Sequence, residues 1–451
     1  TPIAAADVIV FREGEYAVVV DGKTKEVLAR STDHVEVIQF GLNYVEGSGG
    51  VVALRGVFKI TSSIYIPRGV PIHLIGYGAL LRWHSADCKF AAKPGTETIE
   101  LYVYNIKFDL NNTGLRGFDL GTEPFTGKIM FNEFINVPEN GMAFAANGMD
   151  KVEIAFNRFH KPAVTSGDLL GYGGQYIHIH HNVFERRQAG TGRASHVDIH
   201  DNIFWSDDSS YGVLIEQAYN VDMEDFNIHN NLFINTLLIH TAESGTSGVT
   251  RKVKMHNNIL VGRAISLDGG DNYVEDVEIR DNLIVDSREA GIYLRRVKDA
   301  LVEGNRIINS NMMNSTDLYP NSCIYIRLGS GIIKVVGNWM KRTASLDNDT
   351  PYGVCVDLGD EVLYIERNVF DNIRISPVKV VTAPAGGVIT KNNVGYVTEN
   401  SGVAVFSGDG ATTQFKVEHG LVKAPSKVIV TPLSADAKDF SYCLLYTSDA
   451  A

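Results

Sequence analysis

The chain has 451 residues, 44% of them hydrophobic, and a formal net charge of -12. That length suits one long solenoid with appendages as well as several globular domains. The negative balance argues against nucleic acid or another polyanion as a partner, and no apolar run reaches membrane-spanning length.

In chain order, residues 5–30 predict strands around a turn: Val8 to Phe11, Tyr16 to Val20, a turn at Asp21-Gly22, then Glu26 to Ala29. Ser31 to Asp33 is a helix N-cap signal, with Glu36 three residues after Asp33. Val35, Ile38, Leu42 and Val45 then share one face, which predicts a short amphipathic helix over 34–45. Such a helix would plug the open first coil of a solenoid. Gly47 to Gly50 leads into Val51 to Pro67, which reads as strand, glycine turn, strand, turn, strand. Val70 to Gly76 and Ala79 to Trp83 continue the pattern.

From residue 105 onward an asparagine recurs every two to three dozen positions. The instances are Asn105, Asn132, Asn157, Asn182, Asn202, Asn231, Asn258, Asn282, Asn305, Asn338, Asn368 and Asn393. Each follows an alternating apolar run and usually precedes an apolar pair, as in VEIRDNLI from Val277 to Ile284. A fixed period of this size means a solenoid. The physical reading is a parallel β-helix, all-β, of about 12 coils. Each asparagine is expected at a bend that tolerates left-handed backbone, with amides hydrogen-bonded from coil to coil. Strand alternation sends Ile, Val and Phe inward. A leucine-rich repeat is disfavoured, because its leucine spacing and helical half-repeat are absent.

The helical cap, the Gly-Gly-x-Val-x-Leu-x-Gly-x-Phe-x-Ile entry and the asparagine ladder together resemble the pectate-lyase-like right-handed single-stranded parallel β-helix superfamily. The resemblance covers about residues 5–400. It implies the fold and leaves the reaction open among polysaccharide lyases, glycoside hydrolases, epimerases and tailspike-like depolymerases. The expected organisation is an N-terminal cap of strands plus capping helix at 1–50 and the β-helix at 51–400. A small, incomplete C-terminal β module follows at 401–442, and then a non-native-looking tail at 443–451. The resemblance also implies a secreted protein with a polysaccharide partner and no membrane partner, monomeric, or trimeric if tailspike-like. No signal peptide is visible, and any export signal is expected to have been removed ahead of Thr1.

Superfamily members place their active groove along one outer sheet. Strands of the form small–apolar–x–apolar–polar end at Glu216, His240, Asp268, Arg295, Arg327 and Asp357, which alternation places outward in one column. A second column two residues earlier holds Leu214, Leu238, Ser266, Tyr293, Tyr325 and Cys355. Acids, a histidine, arginines and tyrosines suit a sugar, aromatic faces for the ring and charged groups for hydroxyls or carboxylates. The bland alternative is an ordinary polar exterior with structural Asp–Arg ladders. Glu216 and Asp268 are expected as an acid/base pair, with His240 between them and the doublet Asp207-Asp208 on the turn before. Tyr293, Arg295, Tyr325, Arg327 and Asp357 are expected to bind substrate. The polygalacturonase signature beyond an Asp doublet is absent, as are lyase and epimerase motifs.

His180, His200, His229 and His256 each lie two residues before a ladder asparagine and should stack. Arg280, Glu303 and Glu366 fill the same slot in other coils, which marks a polar exterior position, so no metal ligand set is expected. The four cysteines (Cys88, Cys323, Cys355, Cys443) have no metal or disulfide spacing, and two or three of them are expected as small buried or semi-buried thiols. The leading expectation is a glycoside hydrolase without a cofactor. The alternatives are a uronate-polymer lyase, in which Arg295 or Arg327 would pair with the carboxylate or Glu216 and Asp268 would hold a Ca²⁺ that does so, and a non-catalytic glycan-binding or tailspike-like protein.

Overall fold

The computed structural model describes residues 5–121, 124–138, 141–146, 148–160, 169–186, 188–207, 211–217, 220–242, 245, 247–313, 322–343 and 350–396. The side chains of 169–172 are excepted. The module expected at 401–442 and the tail at 443–451 lie outside them, as do Asp208 and Cys443.

The coils are the expected parallel β-helix, and two successive ones show the plan. Met223–His229, Leu232–Ile234 and Leu237–Ala242 form one coil. Thr250–His256, Ile259–Val261 and Ile265–Asp268 form the next. Phe226 pairs with Val253, Phe233 with Leu260 and Leu238 with Ile265, all in parallel. Each coil thus adds one strand to each of three sheets, here called first, second and third in that order. Inward residues are fully excluded from water; Phe226, Ile228, Phe233 and Leu238 are all 0% exposed. Inside the second sheet, Phe108, Phe134, Phe159, Phe184, Phe204 and Phe233 stack face to face, with ring centroids 4.7 to 5.0 Å apart. That spacing is the strand separation itself, so equal rings stack without adjustment.

The N-terminal end is closed as the pattern predicts. Val8–Glu13 pairs antiparallel with Tyr16–Asp21 and in parallel with the first coil strand, Gly50–Ile60. The helix α1 (His34–Tyr44) is capped by Asp33, whose side chain accepts from the Val35 and Glu36 amides. It buries Val35, Val37, Ile38 and Leu42 against the end of the core. Gly41 lies so near that a Cβ there would stand 3.2 to 3.6 Å from Val8, Val10 and Val52. No described helix is long and apolar enough to cross a membrane. Cys88, Cys323 and Cys355 are buried free thiols, as expected.

The asparagine ladder runs from Asn132 to Asn393. Asn258 shows its wiring. Its Oδ1 accepts from the Asn231 backbone N–H at 3.0 Å and from Asn231 Nδ2 at 3.1 Å. Its Nδ2 donates to Ile228 O at 2.9 Å and to Asn282 Oδ1 at 3.0 Å. Two details differ from the sequence expectation. Asn105 is not a rung, because the amide that meets Asn132 Oδ1 belongs to Ile106. The left-handed residue is the one before each rung, including Phe131, Phe156, His181, Asp201, Asn230 and Arg367, with φ of 53° to 59°. The rung itself is a buried connector, and its neighbour makes the bend. A second left-handed column runs through the first sheet at Lys151, Tyr176, His196, Asp225, Lys252, Asp276 and Asp299, where the pairing of successive coils skips one residue without a change of register.

Asn258→Ala leaves the Asn231 N–H and the Ile228 carbonyl buried without their partner. The expected cost is roughly 2–5 kcal/mol, read as a lower urea midpoint. A midpoint equal to wild type would show that the ladder contributes no net stability.

Candidate functional site

The outer face of the third sheet carries the expected charged column in a corrected register. Glu216 pairs with Thr241, and Ile215 with His240. His240 pairs with Leu267, which brings Thr241 abreast of Asp268. Asp268 then pairs with Arg295, Arg295 with Arg327, and Arg327 with Asp357. The outward column is therefore Glu216, Thr241, Asp268, Arg295, Arg327, Asp357.

His240 is a correction. The stretch Leu237-Leu-Ile-His-Thr241 was framed one residue early, and a one-residue slip reverses the face of every side chain. His240 points inward and is 1% exposed. Its Nδ1 meets the Asp268 carbonyl at 3.0 Å and its Nε2 meets Thr250 Oγ1 at 2.9 Å. Thr250 in turn donates to Gln217 Oε1 at 2.8 Å. Burial pushes the His240 pKa down to about 4. It is a neutral core group that ties the third sheet to the first.

The column is held by ion pairs. Arg295 Nη1 lies 2.8 Å and 2.9 Å from the two Asp268 oxygens. Asp268 Oδ1 also accepts from the Gly270 amide at 2.9 Å. Arg327 Nε stands 3.9 Å from Asp357 Oδ2, a looser pair. Asp268 and Arg295 side chains are both 28% exposed, so the pair borders solvent. On the turn before the Glu216 strand, Asp207 pairs with Arg186.

The tyrosines are a second correction. The column two residues earlier reads Leu214, Ile239, Ser266, Tyr293, Tyr325, Cys355, with Ile239 in place of the buried Leu238. Tyr293 and Tyr325 stack at 5.8 Å and are only 8% and 2% exposed. They pack with Ala290 and Cys355 as a small apolar cluster. Their rings are covered and offer no open face to a sugar. Arg263 and Glu289, 3.6 Å apart, carry no motif in the sequence and lie on the turns that enter the Ile265–Asp268 and Ile292–Arg295 strands. Their signal was positional, since turns before a groove strand border the groove.

No protein-family model and no curated protein matches the chain. Among solved structures it is similar to the A-module of the Azotobacter vinelandii mannuronan C-5 epimerase AlgE6, at 11% identity and a TM-score of 0.42, over 80% of this chain and 94% of that one. It is similar to an exopolygalacturonase from Thermotoga maritima, at 12% identity and a TM-score of 0.40, over 80% and 87%. It is also similar to the tailspike protein of E. coli bacteriophage HK620, solved with a hexasaccharide, at 13% identity and a TM-score of 0.41, over 80% and 66%.

The position of His240 has a pH consequence. The ordinary histidine value is 6.5 and the folded one about 4. Between these the unfolded chain binds the extra proton, so the stability from neutral His240 is present above pH 6.5 and lost as pH falls toward 4. The expected loss is on the order of 3 kcal/mol, and His240→Gln should flatten that acid-side fall in Tm. An unchanged slope in the variant would show that His240 is not the group responsible.

Proposed function

We propose that this protein acts on a polysaccharide laid along the outer face of the third sheet, and that it hydrolyses the chain internally. The observation that carries this reading is the unbroken column Glu216, Thr241, Asp268, Arg295, Arg327, Asp357. It sets acids and cations along one line at the pitch of the sheet, about 4.8 Å per coil. A polymer needs such a repeating line, and a small ligand does not.

Glu216 is the general acid and Asp268 the general base in this proposal. Their Cα atoms are two coils apart, about 9–10 Å at the strand spacing. That lies near the upper end of what an inverting hydrolase uses to fit a water between two carboxyls. Thr241 stands between them, and its hydroxyl both donates and accepts, as a group holding that water must. Arg295 and the Gly270 amide orient Asp268. Arg327 and Asp357 extend the face for sugar hydroxyls or carboxylates.

An eliminating lyase is the second reading, favoured by one observation. Among the described residues Arg327 is held only by a loose 3.9 Å pair to Asp357 and its side chain is 36% exposed, so its guanidinium can turn to a uronate carboxylate. A Ca²⁺ bound by Glu216 and Asp268 would have to displace Arg295 from Asp268, which weighs toward hydrolysis.

Glu216→Gln and Asp268→Asn should each lower reducing-end release by roughly 10²-fold or more on whichever polymer of a polysaccharide panel is cleaved. Near-wild-type rates in both would remove the acid/base assignment. Ultraviolet absorbance from a new double bond would establish elimination. Binding with no cleavage across the panel would make the column a glycan-binding surface alone.

A further inference from the structure

A second cluster of chemistry lies on the first sheet, away from the charged column. Histidines gather there in two adjacent outward columns. One contains His180, His200, His229 and His256, whose rings stack 4.9 to 5.1 Å apart, as their spacing predicts. The other contains His178 and, abreast of it in the next coil, Asp198. The stack by itself is a packing ladder. The diagonal between the two columns differs from it.

His178 Nε2 and His200 Nε2 face each other at 2.5 Å. Asp198 Oδ2 lies 3.8 Å from His178 Nε2. One donor atom from each of the three residues falls within 4.8 Å of the other two, and all three residues are half-buried. Two of the three are also held from behind. His200 Nδ1 meets Asp201 Oδ2 at 2.7 Å, which places its ring proton there and leaves a lone pair on Nε2. Asp198 Oδ1 faces His229 Nε2 at 3.2 Å and accepts from Asn227 Nδ2 at 3.2 Å, which leaves Oδ2 for the centre. Asn227 is itself fixed by His256, with Asn227 Oδ1 and His256 Nε2 3.0 Å apart. The stacked histidines thus act as supports for the pair that converges.

We propose that His178 Nε2, His200 Nε2 and Asp198 Oδ2 bind one divalent transition-metal ion of the zinc class. Two imidazoles and one carboxylate suit zinc, cobalt or nickel and not the all-oxygen shell of calcium. Tetrahedral coordination at about 2.0–2.1 Å sets ligand nitrogens roughly 3.3 Å apart, so the two rings open by under about 1 Å to admit the ion. Burial and the neighbouring His180 and His200 hold the His178 pKa below its ordinary value, which keeps the ring neutral and able to ligate. His178 and Asp198 come from successive coils, so the ion cross-links the solenoid at that level. A rival group, His181, His200 and Asp201, would use the opposite nitrogen of His200, but two of its members are exposed.

The test uses the full chain after chelation and dialysis, titrated with Zn²⁺ by calorimetry and with Co²⁺ by visible absorption. One saturable zinc per chain is expected, with a Tm that stops rising at one equivalent and a cobalt ligand-field band. His178→Ala and Asp198→Asn should weaken binding by roughly 100-fold or more while keeping the wild-type circular dichroism spectrum. His181→Ala should bind as wild type. Asp198→Asn keeps the side-chain shape, so lost binding there cannot be put down to unfolding. The proposal is overturned by the absence of saturable binding, by binding that survives both His178→Ala and Asp198→Asn, or by binding lost in His181→Ala instead.

Discussion

Parallel, in-register coils put like upon like. Every side chain sits about 4.8 Å above the residue at the same position of the coil before. The rest of the molecule follows from which groups tolerate that neighbour. Amides do, because each both donates and accepts, and the Asn132 to Asn393 ladder results. Phenyl rings do, and line the second sheet from Phe108 to Phe233. Imidazole rings do, on the first sheet. Like charges do not, so charged columns alternate in sign or pair diagonally. Glu275 lies between Arg251 and Lys298, and Asp268 beside Arg295. Arg295 directly below Arg327 is an exception, relieved because each arginine turns to an acid on its other side.

The same constraint explains what could be read from the sequence. The coils, the capping helix and the core were legible, because the asparagine period and strand alternation both report on burial. The groove column was legible in five of its six members. It failed at His240, where Leu237-Leu-Ile gives three apolar residues in a row and two frames fit equally well. Only pairing resolves such a run. The covering of Tyr293 and Tyr325 could not be read either, since it depends on the path of a turn through Ala290. Counting back two residues from each asparagine found His200 but not its partner. His178 sits four residues back, in the adjacent outward column, and meets His200 across the coil boundary.

The two sites divide the outside of one solenoid. The third sheet carries a long column of mostly charged side chains, along which the proposed substrate would lie. The first sheet carries a compact convergence of three donor groups backed by hydrogen bonds. His240 connects the sheets from inside, since its ring reaches from the Asp268 backbone to Thr250 on the first sheet. Asp268 therefore rests on a core contact at its backbone and an arginine at its carboxylate.

The left-handed columns have one more implication. Lys151, Tyr176, His196 and Lys252 hold positive φ without being glycine, asparagine or aspartate. Such residues ordinarily cost about 1–2 kcal/mol each. The coils accept that strain repeatedly because stacking overdetermines the backbone on either side of each such residue. Those positions lie on the outer surface, away from the core and the ladder, and asparagine suits their geometry. They mark where this scaffold could be made more heat-resistant without disturbing a single core contact.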